Sequence, residues 1–336
     1  MIKNQSVVFF IGAGFSAPFG LPVMSNFIDK ARDLFFYDPT KYKSIGKTLE
    51  LISKYSSVKN YLNVNLHNIE DLLSIAYMES AITKKSRSMK LVIDFIKVVI
   101  ENYTGKVSKE AASFAELIAN ASFKKGNTSI GNVYERFYYG KNCDNSDFGL
   151  ISLNYDLIVE NALSHLALQY GKFYELAKKP NPIVENFSVT NDLSGSGIPM
   201  AKLHGSINRS IIPPTWNKNM NPDIRSDWDL ALKLLRNATH IVFLGYSLPS
   251  TDNYIKYLLA TSLFDNQRLK KTSVITKDSD GQTTNRYKSL FDGRLSVHNV
   301  DILSFFEAIS LAKGRIDFDE FDDIFIKLNN SKKQQN

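Results

Sequence analysis

Val7-Val8-Phe9-Phe10-Ile11 runs directly into Gly12-Ala13-Gly14-Phe15-Ser16-Ala17, and this stretch decides the fold. A short unbroken run of β-branched and aromatic residues suits a strand covered on both faces, as in a parallel sheet. The glycines that follow fit G-x-G-x-x-A at a strand-to-helix turn, where backbone N–H groups can approach a pyrophosphate closely. The acidic residues about 20 positions on, Asp29 and Asp33, sit in a helical pattern rather than at the end of a second strand, unlike the ordinary dinucleotide fingerprint. No G-K-[ST] follows, which excludes a Walker loop.

Working outward, Ser25 reads as an N-cap for a helix carrying Ile28, Ala31, Leu34 and Phe35. From about Asp38 to Asp147 the apolar spacing is helical. Asn68 caps one helix (Ile69, Leu72, Leu73, Ala76), Leu91, Phe95, Ile96 and Val99 mark a second, and Ser108 opens a third through Ala112, Ala115, Ile118 and Ala119. Gly126–Asn132 and the polar Lys141–Asp147 read as loops that close this segment. Strands resume at Leu150–Leu153, Met200–Leu203, Ile241–Leu244, Ser273–Thr276 and Leu295–Val300, with Asp252 as the cap of the helix through Ile255, Leu258 and Leu259. Such alternation predicts an α/β fold: a Rossmann-like, doubly wound parallel sheet. Residues 1–37 and 148–312 are expected to form that domain, 38–147 a helical insertion, and 313–336 a C-terminal extension.

The composition fits a cored protein: of 336 residues, 43% are apolar and 12% aromatic, which excludes a largely disordered chain. A single cysteine, Cys143, excludes an intrachain disulfide framework and a Cys-paired zinc site, and no spacing among the histidines suggests a metal. The opening apolar stretch is short and broken by glycine, so a cytoplasmic protein is expected, and no apolar run reaches the roughly 18 residues of a membrane span. The net charge of +7 is compatible with nucleic acid or with a small anion and does not choose between them. Its densest basic stretch, Lys84, Lys85, Arg87 and Lys90, reads as a solvated turn between helices.

In an open α/β sheet, ligands bind beyond the carboxyl ends of the strands. Four predicted strands end in small or polar groups: Gly12-Ala13-Gly14, Asn154-Tyr155-Asp156, His204-Gly205 and Gly245-Tyr246-Ser247. Each has a plainer reading beside a functional one. Asn154 fits an Asx-turn, Asp156 an N-cap and His204 a satisfied core histidine.

"FFIGAGFSAPFGLP", "SLNYD", "KLHGS" and "FLGYSL" occur in this order, with helical material between the first and second. In this the chain resembles the sirtuin-like family, specifically the NAD-hydrolysing enzymes of bacterial anti-phage defence. The resemblance implies that NAD is bound as substrate, without a metal, and that its nicotinamide–ribose bond is cleaved. It implies that Gly12, Ala13, Gly14 and Ser16 cradle the phosphates and that Gly245 and Ser247 contact the adenosine side, with Gly205 also at the dinucleotide. Asn154 would hold the nicotinamide ribose and the attacking water, His204 would act as the base, and Asp156 would support the site. Classical sirtuins carry a paired-cysteine zinc module and an aspartate-phenylalanine-arginine segment after the glycine loop. Here the first is missing and "GLPVMSNF" stands in place of the second, which argues against protein deacetylation. Related systems pair the chain with a ring-forming ATPase or an Argonaute-like protein, so control by self-assembly or by a partner is expected. Two rival functions stay open: an NAD or ADP-ribose binding module without turnover, and a nucleic-acid-processing subunit.

Overall fold

The computed structural model describes residues 5–56, 66–106, 108–126, 146–176, 188–193, 197–212, 221–250, 252–291, 293–311 and 316–326. The sequence readings at Cys143, at 127–132 and 141–145, and in residues 327–336 of the C-terminal extension lie outside them. Seven strands are described: β1 (Gln5–Ile11), β2 (Ser146–Ser152), β3 (Val189–Thr190), β4 (Ile198–Lys202), β5 (His240–Leu244), β6 (Lys271–Thr276) and β7 (Leu295–Asn299). They form one sheet in the order β3-β4-β2-β1-β5-β6-β7, and every pairing is parallel. This is the doubly wound, Rossmann-like α/β sheet expected, with β1 at its centre and Phe9 in register with Leu150 on one side and Val242 on the other.

β1 shows why a continuous apolar run belongs here. Side chains alternate between faces along a strand. Val7, Phe9 and Ile11 enter one core, while Val8 and Phe10 enter the other, and all five are essentially inaccessible. The first core is covered by α2 (Phe27–Tyr37), α3 (Lys43–Ser56), α4 (Ile69–Thr83), α5 (Arg87–Tyr103), α6 (Lys109–Gly126), α7 (Ile158–Leu176) and α11 (Ile302–Leu311), which follow the four-residue α1 (Ala13–Ser16). The second is covered by α8 (Arg225–Asn237), α9 (Asn253–Phe264) and α10 (Gln282–Leu290). Between β1 and β2 the described residues are helical, with no strand among them.

Several local expectations need correction. Ser25 does not cap α2: Met24–Asn26 form a 3-10 turn in which Asn26 Oδ1 accepts from the Val23 amide, and α2 begins only at Phe27. β2 begins at Ser146, so Ser146 and Asp147 are strand rather than loop, and Gly126 is the last residue of α6. Asp252 precedes α9 but makes no cap bond, because its carboxylate accepts the Tyr246 hydroxyl at 2.8 Å instead. Asn68 does cap α4, accepting from the amides of Glu70 and Asp71.

The C-terminal segment 316–326 packs against the sheet as a strap, with Ile316, Phe318, Phe321 and Phe325 buried. Gln5 ties to Asp317, His240 and Lys270 meet Asp319, and Lys271 and His298 meet Asp322. Burial holds both histidines below their ordinary 6.5, against the pull of their aspartates. Burial pushes the two aspartates up, yet their basic partners bring each below 3.8 overall. The signs agree. A histidine whose folded pKa is depressed costs stability as pH falls through 6.5, because the unfolded chain takes the proton first, and the aspartates add a further loss below 3.8. Thermal melts should therefore show a midpoint that falls as pH drops below about 6.5. His240→Gln should flatten that dependence, and an identical slope in the variant would contradict this assignment.

A cavity at the carboxyl ends of the strands

β1 ends at Ile11, and Gly12 to Gly14 turn the chain against the end of β5. The Gly12 amide donates to the Leu244 carbonyl at 3.0 Å and the Gly14 amide to the Gly245 carbonyl at 2.8 Å. Gly245 has φ +61°, in the left-handed region that favours glycine. A Cβ added at Gly14 would lie 2.8 Å from the Gly245 oxygen, and one added at Gly245 would lie 2.2 Å from the Phe15 nitrogen. Backbone therefore packs on backbone here. The close packing alone requires these glycines, and the amides of Gly12 and Gly14 are engaged with the end of β5. Ala13 lines the cavity, and its amide donates no hydrogen bond among the described residues.

One residue beyond β2, Leu153 leads to Asn154, whose Nδ2 donates to the Gly12 carbonyl (3.0 Å) and to Ser16 Oγ (2.9 Å). Ser16 Oγ in turn donates to Asp156 Oδ2 at 2.7 Å, while Asp156 Oδ1 accepts from the Ile158 amide at 3.1 Å in an Asx-turn that leads into α7. Asp156 is one residue short of the N-cap position expected of it, and through Ser16 it braces Asn154. Asn154 forms neither a cap nor an Asx-turn. Its Oδ1 accepts no hydrogen bond among the described residues. Lys202, buried at the end of β4, anchors this loop from behind by donating to the Asp156 carbonyl and to Glu160.

His204 follows β4 by two residues and is 3% exposed. Its Nδ1 lies 3.9 Å from Oε1 of Glu70, at the start of α4. Gly205 has φ +75°, and a Cβ there would meet the Ser210 carbonyl at 1.8 Å, so this glycine serves the return of the chain to Ile211. On the other side of β1, Tyr246 donates to Asp252, and burial, reinforced by that carboxylate, raises its hydroxyl well above the ordinary value. Burial likewise raises Tyr155, helped by Glu70 and then Asp252.

These ends enclose a cavity of about 690 Å³. Gly12, Ala13, Gly14, Asn154, His204, Gly245 and Ser247 line it; Ser16, Asp156 and Gly205 stand behind the wall. Sequence reasoning missed Glu70 and gave no ligand-side role to Tyr246, Asp252, Lys277 or Asp301, all of which line the cavity. Lys277 and Asp301 follow β6 and β7, so the rule about carboxyl ends of strands could have found them. Nothing in the sequence brings Glu70 to His204. No group of three or more metal-ligating side chains occurs among the described residues, and none of the described helices is long and apolar enough to cross a membrane.

No protein-family model and no curated protein matches the chain. Solved structures that resemble it include Sir2Tm bound to a propionylated peptide (13% identity, 93% of this chain and 94% of that one, TM-score 0.38). A Sir2 bound to acetylated peptide gives 13%, 93%, 94% and 0.38, and a Sir2 complex with a p53 peptide and NAD+ gives 12%, 93%, 95% and 0.37. The chain is a Rossmann-like α/β protein with a cavity at the carboxyl ends of its strands, and these sirtuins are among the solved structures similar to it.

Proposed function

We propose that the chain is an NAD+ glycohydrolase of the sirtuin-like type, cleaving the nicotinamide–ribose bond to give nicotinamide and ADP-ribose. One observation carries the reading: from His204 to Lys277 the cavity runs along the ends of β4, β2, β1, β5 and β6 in succession, with Asp301 after β7 beyond them. Four interstrand spacings of about 4.8 Å make roughly 19 Å, a span suited to an extended dinucleotide rather than a mononucleotide. The glycine turn at β1 sits in the middle, where a pyrophosphate would lie, with Ala13 offering its amide. His204 and Asn154 stand on one side, for nicotinamide and its ribose, and Gly245, Ser247 and Lys277 on the other, for adenosine.

The chemistry fits those groups. The C1′–N1 bond breaks, its electron pair passes to the pyridinium nitrogen, and neutral nicotinamide leaves without a general acid. The ribose passes through an oxocarbenium-like state, as in glycoside hydrolysis. Water oriented by Asn154 Oδ1 bonds to C1′, and His204 takes the proton released. Ser16 and Asp156 act through Asn154, holding its amide so that the oxygen is presented to the ligand.

The four ordered motifs support a place among the NAD-depleting enzymes of anti-phage defence, in which activity is held back until the chain assembles with itself or with a partner protein. In this reading, residues 1–37 and 148–312 form the NAD domain and 38–147 the insertion that closes over it, with cytoplasmic NAD+ as substrate. The test is product analysis after incubation of NAD+ with the assembled chain. Equimolar nicotinamide and ADP-ribose are expected. Saturable binding with NAD+ returned intact would instead favour a binding module, a reading that the structural engagement of Asn154 Nδ2 also suits.

A further inference from the structure

Resting on the dinucleotide reading above, one acidic residue of the helical segment acquires a role. α4 is fixed at its amino end by Asn68, whose Oδ1 accepts from the Glu70 amide at 2.8 Å, and by Ile69, Leu72 and Leu73, all buried. Glu70 is thus presented by a capped, anchored first turn rather than by a loose loop. Its carboxylate lines the cavity, is only partly exposed, and has Oε1 3.9 Å from His204 Nδ1. Two further carboxylates line the cavity away from His204: Asp252, beyond β5, accepts the Tyr246 hydroxyl, and Asp301 follows β7. Lys277 follows β6 between them. Among the described lining residues, Glu70 is the carboxylate set beside His204.

We infer that Glu70 is a specificity-determining residue that makes the His204 end of the cavity select a cationic ring. The oxidised nicotinamide of NAD+ carries a positive charge, the dihydronicotinamide of NADH is neutral, and ADP-ribose has no ring there. A fixed carboxylate in a partly dry cavity favours the first of these three. The same charge favours the oxocarbenium-like ribose, whose positive charge develops as the pyridinium loses its own. The helical insertion thereby completes the site, supplying a charge that none of the strand ends carries at this position.

The experiment is calorimetric titration of the full chain with three probes: NADH, ADP-ribose, and the NAD+ analogue in which a methylene replaces the nicotinamide-ribose ring oxygen, so that the ring stays cationic and cannot be cleaved. Wild type should bind the cationic analogue about tenfold more tightly than NADH. Glu70→Gln should bring the two to parity while ADP-ribose affinity changes less than about twofold, which also reports an intact fold. Glu70→Asp should keep part of the preference. An unchanged ratio in Glu70→Gln, with ADP-ribose still bound, overturns the role of Glu70 and leaves the dinucleotide reading standing. Failure of wild type to bind any of the three overturns both.

Discussion

Gly14→Val should unfold the chain well before wild type and lose NAD+ binding with it. The valine Cβ would stand 2.8 Å from the Gly245 oxygen and 3.0 Å from the Gly245 Cα, so backbone must yield, not a flexible side-chain tip. Overpacking of this kind costs about 1–3 kcal/mol. Moving the two segments apart also breaks the bond from the Gly14 amide to Gly245, which adds about 1–3 kcal/mol if the groups stay buried and unmatched. The sum, about 2–6 kcal/mol, corresponds for a chain of 336 residues to a fall in melting temperature of roughly 3–9 °C. The sequence motif by itself suggests a different outcome, lost binding with folding nearly intact. A variant that melts with wild type while failing to bind NAD+ would restore that simpler reading of the glycine as a ligand contact.

His204→Ala should reduce NAD+ consumption by about two to four orders of magnitude, the range expected when a positioned proton acceptor is removed. His204 holds the fold through its carbonyl, which accepts from the Ile212 amide, and alanine preserves that bond. Melting should therefore change modestly. Asn154→Ala should lower the rate to a similar extent but is less clean. It deletes the bonds to the Gly12 carbonyl and to Ser16, at about 1 kcal/mol each, and loosens the glycine turn as well. Rates should be compared at temperatures where both variants are folded. Near wild-type consumption by a folded His204→Ala chain would refute the proton transfer assigned to this residue.

The fold was legible where burial is simplest. β1 and β5 carry apolar runs covered on both faces, and the sequence places their ends to within a few residues. β3 was not, because two residues, Val189 and Thr190, carry no periodicity. α8 has an apolar face in Trp228, Ala231, Leu234 and Leu235, but Ile224 stands at its N-cap, so no polar capping residue marks its start. α3 is harder, since its buried face includes Thr48 beside Ile45 and Ile52. At the site, residues that follow strands were readable because strand direction alone places them. Glu70 was not, since its place depends on how a helical segment packs over β4, a contact between positions 70 and 204 that no local pattern encodes. The surroundings of Ser16 and Gly205 likewise depend on through-space contacts, with Asp156 and with the Ser210 carbonyl.

The central claim is that one extended dinucleotide occupies the cavity from His204 to Lys277. Its most direct test is a calorimetric titration of the full chain with NAD+, AMP and nicotinamide mononucleotide. One NAD+ should bind per chain, more tightly than either half, with each half displaced by NAD+. No saturable binding of NAD+, or AMP binding as tightly as NAD+, would contradict it.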